Sequence, residues 1–425
     1  MLLRFGCSNF LSIRSFQEIS FVASTQKESS EFLIDIPNQS EGALACTAIY
    51  GANASGKSNF LKSMKFMREL VTSSHIQLKP DQNIENEPFL LDDAASHEPS
   101  NFECDFIVGG VRYSYGFSIF RHNLKTEFLY AFPKGHKQVW FTRDEDQQNS
   151  FSFGKNLKGR NSLIAELTRS NSLFLSAAAQ QNHEQLKAIY SFFSTDIYSN
   201  YNNMDFDLAM VPSLLEGTRK RWILDFLIQA DTGISDVRVI TEPVSGLARE
   251  LLSFIKEKTD KDKNTIFNFD DNSRQIKRIE FGHTGAHGKL VFLPFESESL
   301  GTKKILSLLK PVLSAIDKGG IAIIDEIDTS MHILVAMRMI ELFKNSKINS
   351  KGAQLVFTTH DTNLLNCGQL RRDEIWFAEK NRVGETHIYP LSDFKTRSTD
   401  NLEKGYLQGR FGALPFMGAL DDMPN

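Results

Sequence analysis

The chain has 425 residues, of which 41% are hydrophobic and 24% charged, as is typical of a globular protein. A net charge of -4 provides no overall basic surface for nucleic acid, so contact with DNA or RNA would depend on a local patch. The four cysteines are widely spaced, which argues against a disulfide framework and a zinc ribbon. Neither a signal peptide nor an apolar run of about 18 residues is present, and we therefore predict a cytoplasmic protein without membrane contact.

Residues 2–23 contain short apolar runs that predict strands of a mixed sheet. Residues 43–50 (ALACTAIY) are typical of a buried parallel strand, which would lead the chain into Gly51. Residues 58–70 have helical spacing of their apolar positions, which are Phe60, Leu61, Met64, Met67 and Leu70. A buried strand followed by an amphipathic helix indicates an α/β fold.

The middle of the chain changes in character. Residues 71–100 predict a loop, 102–119 a hairpin around Gly109 and Gly110, and 162–193 helix. Residues 219–230 and 247–258 predict two helices, which indicates a small, mainly helical insertion at 200–285. Strand and helix patterns resume afterwards. We therefore divide the chain into a first part of the main domain (1–199), the insertion (200–285) and a second part (286–425).

The segment GANASGKS at 51–58 fits the pattern G-x-x-x-x-G-K-[ST] at every fixed position. Its glycines let successive backbone N–H groups point at a phosphate, and the following helix adds its N-terminal dipole. In this pattern Lys57 contacts the β- and γ-phosphates of ATP, and Ser58 ligates Mg²⁺. The predicted nucleotide-binding residues of this segment are Gly51, Asn53, Ala54, Ser55, Gly56, Lys57, Ser58 and Asn59.

A short apolar strand at 321–324 ends in two carboxylates, Asp325 and Glu326. Together with the phosphate-binding pattern, Asp325 is predicted to hold Mg²⁺ and Glu326 to polarise the attacking water. The alternative is that both are solvated charges at the end of a strand.

Two further segments fall into the same order along the chain. Ser299 and Gly301 (S-x-G-T) open a helical pattern that Pro311 would end or kink, and they form either an anion site or an ordinary helix cap. The strand pattern QLVFTTH at 354–360 ends in His360, whose imidazole could bond the γ-phosphate or the attacking water, or be structural.

The four motifs in this order resemble the ABC/SMC-type ATPase head. Within that class the chain resembles the compact ABC-like ATPases of phage-defence and abortive-infection systems. These include the ATPase subunit of the PARIS system, the abortive-infection ATPases and the ATPase half of OLD nucleases. The resemblance outside 200–285 is carried by N-F-x-S-I at 9–13, GANASGKSN, S-x-G-T, IDEID with His332, TTHD and the closing KGYLQGRFGALPF.

The resemblance implies an ABC-type P-loop fold, ATP and Mg²⁺ as cofactors, and a head-to-head dimer, with a higher oligomer left open. In such a dimer Ser299 and Gly301 touch the γ-phosphate held by the other copy, whereas Glu326 and His360 act on their own copy's nucleotide. It further implies a regulatory ATPase that responds to a phage protein or nucleic acid and controls a separately encoded nuclease or toxin. The alternative is a RecF/SMC-like ATPase that acts directly on DNA.

The chain departs from these families in two places. The signature lacks the full L-S-G-G-Q sequence, and a glutamine lid motif has only weak candidates in Gln138, Gln180 and Gln181. Only 65 residues follow His360, which is too few for the Toprim nuclease domain of the OLD proteins.

Three other features remain open. His283 and His287 have H-x₃-H spacing, but the sequence offers no third metal ligand nearby. The basic cluster at 218–222 is either a solvated helix face or a contact for phosphate or an acidic partner. Aromatic and basic residues of the closing segment either pack or form a docking strip; they are Tyr406, Arg410, Phe411 and Phe416.

Overall fold

The computed structural model describes residues 1–24, 32–37, 39–200, 218–243, 275–397 and 400–414. The chain divides into two units. The first comprises Met1–Ser199, Ser314–Ile327 and Met337–Asn425, and the second comprises Asn200–Leu313 and Asp328–Ala336. No helix in the described ranges is both long and apolar enough to cross a membrane.

The strands, in chain order, are β1 (Leu2–Ser8), β2 (Gln17–Ser20), β3 (Leu33–Asp35), β4 (Gly42–Leu44), β5 (Cys46–Tyr50), β6 (Ser100–Val108), β7 (Val111–Phe120), β8 (Asn123–Phe132), β9 (Gln138–Asp144), β10 (Phe151–Phe153), β11 (Ile197–Asn200), β12 (Ile234–Pro243), β13 (Gln275–Thr284), β14 (Leu290–Pro294), β15 (Ile321–Ile324), β16 (Gln354–Thr358), β17 (Ile375–Lys380) and β18 (Thr386–Pro390). The helices are α1 (Lys57–Ser73), α2 (Asn161–Glu166), α3 (Phe174–Gln180), α4 (Glu184–Thr195), α5 (Thr218–Gln229), α6 (Leu300–Lys318), α7 (Ile333–Lys344) and α8 (Leu402–Leu407).

A six-stranded sheet of the first unit has the order β11-β15-β16-β5-β17-β18. Strands β15, β16, β5 and β17 run parallel, and β18 is antiparallel to β17. Every residue of β5, β15 and β16 is buried, as expected for parallel strands. The carboxyl ends of these three strands therefore meet at one edge of the sheet, where α/β proteins place their ligands.

Helix α1 follows β5 and confirms the helix predicted at 58–70. All five of its predicted apolar positions are buried. Each such side chain contributes about 1.5–3 kcal/mol when it is fully removed from water, so this face fixes the helix on the sheet. The beginning of α1, where the nucleotide motif lies, is held in place by this packing.

A second sheet of the first unit is antiparallel, with the order β10-β9-β8-β7-β6-β1-β2. The predicted hairpin is confirmed, since β6 and β7 pair up to Val108 and Val111 on either side of the two glycines. Gln354, 1% exposed at the start of β16, donates from Nε2 to Leu2 O at 3.0 Å and to Leu44 O at 3.1 Å. The side chain of this β16 residue thus joins the six-stranded sheet to the backbones of β1 and β4.

The second unit contains α5 and an antiparallel sheet of β12, β13 and β14. The prediction of a mainly helical insertion missed this sheet, because the described part of 200–285 holds one helix and two ten-residue strands. The helix predicted at 247–258 lies outside the described residues. The unit also extends to Leu313, beyond the predicted boundary at 285, and so includes the S-x-G-T segment.

The remaining local predictions have mixed outcomes. The helical region at 162–193 is confirmed as α2, α3 and α4, which are three separate helices. Pro311 does not end the predicted helix, because α6 continues through it to Lys318.

Candidate functional site

The phosphate loop, residues 51–58, connects β5 to α1 at the carboxyl edge of the parallel sheet. Helix α1 begins at Lys57, and its N-cap is Gly56 with a φ of 104°. A side chain at Gly56 would be strained and would overlap the Thr386 side chain, so the position requires glycine. Asn53 and Ala54 are exposed at the tip of the loop, whereas Ser55 is buried. A helix N-terminus without a capping side chain is suited to an anion.

Lys57 is 4% exposed, and its ammonium group lies across the phosphate loop. Its Nζ donates to Gly51 O at 2.8 Å and to Ala52 O at 2.9 Å, and lies 3.4 Å from His360 Nδ1. The ammonium is therefore held by backbone carbonyls of the loop. It brings a positive charge to this loop.

Ser58 and Asp325, both predicted Mg²⁺ ligands, are in direct contact. Ser58 Oγ donates to Asp325 Oδ1 at 3.0 Å, and Thr358 Oγ1 donates to the same oxygen at 2.6 Å. A hydroxyl and a carboxylate are hard oxygen ligands, and Mg²⁺ is usually bound by one or two of these together with waters and substrate phosphates. The pair fits such a site. The described residues contain no group of three or more His, Cys, Asp or Glu side chains that could hold a metal ion.

Glu326 directly follows Asp325 and has a strained backbone, with a φ of 51°. Its N–H donates to Thr358 Oγ1 at 2.7 Å, which helps to hold this conformation. Left-handed backbone at a residue other than glycine costs of the order of 1–3 kcal/mol and is concentrated at functional sites. The carboxylate is 32% exposed, so water reaches it.

His360 lies between Lys57 and Glu326. Its Nδ1 faces the Lys57 ammonium, which can only donate, and its Nε2 is 3.8 Å from Glu326 Oε1. If Nδ1 accepts from Lys57, Nε2 is the nitrogen that is left to donate on the Glu326 side. The structure thus brings together the predicted lysine, carboxylates and histidine within the first unit.

A chain of hydroxyl groups, which the sequence analysis did not identify, supports the phosphate loop. Asn59 Nδ2 donates to Ser12 Oγ at 2.8 Å, Ser12 Oγ lies 2.8 Å from Thr386 Oγ1, and Thr386 Oγ1 donates to Ser55 O at 3.0 Å. Each hydroxyl can accept one hydrogen bond and donate the next. Asn59, a predicted nucleotide contact, is thus also bonded to Ser12 through its side-chain amide. The N-F-x-S-I motif could have indicated Ser12, but Thr386 has no local signal.

The S-x-G-T segment lies in the second unit and begins α6. Ser299 Oγ accepts from Thr302 N at 3.1 Å, which is the geometry of a helix cap. Ser299 is nevertheless exposed, as is the neighbouring Leu300 at 70%, and Gly301 packs against the backbone of Ser330. The structure therefore contains the helix cap that was the alternative interpretation of this segment. Because Ser299 and Leu300 are exposed, the anion site stays a prediction.

In the described residues, the two histidines with H-x₃-H spacing are not part of a group of potential metal ligands. His283 Nε2 lies 2.8 Å from Glu298 Oε1, and Glu298 is 8% exposed directly before Ser299. His287 lies in the turn Ala286–Gly288. The pair of His283 and Glu298 therefore connects β13 to the residue that precedes the helix cap.

The other open features have separate outcomes. The basic cluster lies on α5, where Lys220 Nζ is 3.6 Å from Asp236 Oδ1. In the closing segment Tyr406 and Phe411 are 5% and 1% exposed, which favours packing over a docking strip for both. Phe416 lies outside the described residues. Gln138 begins β9 and Gln180 ends α3, so neither belongs to the phosphate loop or its strand edge.

The parallel sheet, the phosphate loop and the carboxylates at the adjacent strand end define a P-loop nucleotide-binding domain of α/β class. Residues 46–366 match the family described as AAA domain, putative AbiEii toxin, Type IV TA system. The chain belongs to this family. No curated protein is similar enough to the chain to be matched.

Proposed function

We propose that the chain binds ATP with Mg²⁺ at the phosphate loop and hydrolyses it. The contact that supports the proposal is the hydrogen bond from Ser58 to Asp325, because these are the two residues that we propose as the Mg²⁺ ligands of a P-loop ATPase. The family match supports an AAA-type domain over the region that contains both residues. Lys57 would bind the β- and γ-phosphates, and Ser58 and Asp325 would hold the ion.

The roles of the other residues follow from their positions. Bound Mg²⁺ would neutralise charge that develops on the phosphate oxygens. The partly exposed Glu326 carboxylate would accept a proton from the attacking water, and His360 Nε2–H would donate to a phosphate oxygen or to that water. The strained backbone at Glu326 fixes the direction of this carboxylate before substrate binds.

We further propose that two copies form the complete site, with Ser299 and Gly301 of one copy closing on ATP held by the other. The observation that favours this is the exposure of Ser299 and Leu300 at the beginning of α6. A helix N-terminus that is exposed rather than buried in its own fold can offer its N–H groups to a partner's phosphate. The Leu300 side chain would be removed from water in such a dimer.

The biological role that we propose is regulation of a separately encoded toxin or nuclease in phage defence. The description of the family, which names a putative AbiEii toxin and a type IV toxin–antitoxin system, favours this class. Under this proposal ATP binding and hydrolysis change the affinity of the chain for the effector. A phage protein or nucleic acid would be the trigger.

Measurement of nucleotide binding and phosphate release by the purified chain tests the enzymatic proposal. We expect ATP binding and phosphate release with Mg²⁺, and loss of release when EDTA removes the ion. A chain that binds no nucleotide at protein concentrations that support a dimer would overturn it.

For the biological role, the tagged chain should retain a co-encoded toxin or nuclease in a pull-down, and retention should differ between ATP and ADP. Capture of DNA alone would instead support the direct action on DNA.

A further inference from the structure

The end of the described chain contacts the phosphate loop directly. We define the strap as residues 409–414, which follow α8 within the first unit. Ala52 N donates to Ala413 O at 3.0 Å, and Ala52 O accepts from Lys57 Nζ at 2.9 Å. The Ala52 residue is thus held by the strap through its N–H while its carbonyl holds the lysine. The strap therefore acts on the backbone that positions the ammonium group.

A second donor fixes the strap carbonyl. Tyr406 OH donates to Ala413 O at 3.0 Å, and the tyrosine ring stacks on Phe377 of β17 with a centroid distance of 5.5 Å. Burial raises the pKa of Tyr406 to about 12, so the hydroxyl keeps its proton at physiological pH and remains a donor. Ala413 O consequently has both its hydrogen-bonding positions used, one by α8 and one by the phosphate loop.

The strap backbone has positive φ angles, which its glycines permit and which contacts with neighbouring side chains stabilise. Gly412 has a φ of 70°, and a Cβ there would lie 2.6 Å from Tyr389 Oη and 2.8 Å from Glu379 Oε2. Ala413 also has positive φ, and its N–H donates to Glu379 Oε2 at 3.0 Å. Glu379 lies on β17, which pairs with β5, the strand that leads into the phosphate loop. The strap is therefore anchored to the same sheet as the loop.

Simple packing of a tail would not require these polar contacts. Phe411 alone, 1% exposed and stacked on Phe377, would cover the apolar surface. The strap conformation instead directs Ala413 O to the N–H of Ala52, the second residue of the phosphate loop. It also directs the N–H of Ala413 to Glu379. That arrangement is specific to the loop geometry.

We propose that the strap is a positioning element of the nucleotide site, and that Tyr406 and Gly412 are positioning residues for Lys57 and the phosphate loop. The inference rests on the proposed function, since it concerns how the same site holds ATP. The strap fixes Ala52 and, through the Ala52 carbonyl, the ammonium that contacts the phosphates. Loss of the strap contacts would therefore weaken ATP binding more than it slows the chemical step.

The first test is Tyr406→Phe, which keeps the stacked ring and removes only the hydroxyl. One net hydrogen bond of about 1 kcal/mol corresponds to at most about a fivefold rise in KM for ATP, and we expect a rise within that limit while kcat remains within about twofold. Tyr130→Phe is the matched control, because Tyr130 is a half-buried tyrosine of β8 that stacks on Phe128, away from the strap. Its KM should equal that of the parent chain.

The second test is Gly412→Ala, which forces the strap away from Glu379 and Tyr389. We expect the KM for ATP to rise at least about tenfold, because the Ala413 contact with the loop is displaced. Gly110→Ala introduces similar backbone strain, at a φ of 76°, in an open hairpin turn and should leave KM unchanged. All assays are made at a temperature where circular dichroism shows every variant folded.

The outcomes separate the two proposals. A raised KM in both strap variants with normal controls supports the strap. An unchanged KM in Tyr406→Phe and Gly412→Ala, or a fall in kcat without a change in KM, overturns the strap inference while ATP hydrolysis by the parent chain stands. A parent chain that binds no nucleotide overturns the proposed function and the inference with it.

Discussion

Ser58 Oγ donates a hydrogen bond to Asp325 Oδ1 at 3.0 Å, which joins the first turn of α1 to the end of β15. Thr358 of β16 donates to the same carboxylate oxygen at 2.6 Å. The three residues come from distant parts of the sequence and meet because β5, β16 and β15 are adjacent parallel strands. Parallel pairing of the strands and the packing of α1 on the sheet therefore account for the convergence.

Lys57→Ala should abolish ATP binding. The substitution removes the ammonium that the two loop carbonyls hold, whereas the apolar face of α1 and its packing remain. Titration with a fluorescent ATP analogue measures the effect, and circular dichroism checks that the variant is folded. Tight ATP binding by the folded variant would remove the central role of the phosphate loop.

Glu326→Gln should retain ATP binding and lose hydrolysis. The amide has the shape of the carboxylate but cannot take a proton from water, so only the chemical step is affected. Under the dimer proposal, ATP should trap this variant as a stable dimer, which size-exclusion chromatography with light scattering measures. Glu341→Gln on the exposed side of α7 is the matched control. Phosphate release by Glu326→Gln at the parental rate would exclude Glu326 as the catalytic base.

The sequence predicts the elements around the phosphate loop and the adjacent carboxylates well, because the patterns that indicate them are local. The apolar strand before Gly51, the helical spacing after Ser58 and the carboxylates after Ile324 each depend on residues close together in the chain. By contrast, the contact between Thr386 and Ser55 joins residues 331 positions apart, and no local pattern specifies it. The same holds for the contact between Ala413 and Ala52, although the closing motif is one of those that carry the family resemblance.

The missed strands of the second unit have a different cause. In β13 the buried Ile279 and Phe281 alternate with the outward-facing Arg278 and Glu280, which is the period of a half-buried strand. This short alternation lies beside a polar stretch rich in lysine and aspartate. Because the same region contains two longer helical patterns, the sequence favours a mainly helical insertion. Pairing with β12 and β14 then stabilises the strand, and such pairing cannot be read from one segment.

Thr386→Val should weaken both the fold and ATP binding. The substitution keeps the shape of a side chain that is fully buried, but it leaves Ser55 O and the Ser12 hydroxyl without this partner. Loss of a buried partner costs about 1–3 kcal/mol in the free energy of unfolding. Chemical denaturation measures that change, and ATP titration measures the effect on the loop. Thr386→Ser retains the hydroxyl and should restore most of the ATP affinity; equal affinities for the valine and serine variants would show that the hydroxyl chain does not support the site.

Substitutions at Ser299 can distinguish a helix cap from an anion site. Ser299→Asp keeps a side-chain acceptor for Thr302 N, and aspartate is as good a cap as serine. If Ser299 only caps α6, ATP hydrolysis by Ser299→Asp should be normal, whereas Ser299→Ala should lower stability by about 1 kcal/mol. If Ser299 contacts the γ-phosphate, the carboxylate should repel it, and hydrolysis should fall while the helix stays capped.

The last prediction concerns the division of the site between two copies. Ser299→Arg should bind ATP in its own phosphate loop and fail to hydrolyse it, because the bulky cation blocks closure of the second copy. Mixing this variant with Lys57→Ala produces heterodimers in which one site carries both changes and the other carries neither. Random pairing of equal amounts leaves about a quarter of all sites intact, so activity should recover to about a quarter of the parental rate if the sites act independently. Obligate coupling between the two sites would abolish this recovery, so the single variant is the decisive measurement. Normal hydrolysis by Ser299→Arg would show that the segment is a helix cap and that the site is complete within one chain.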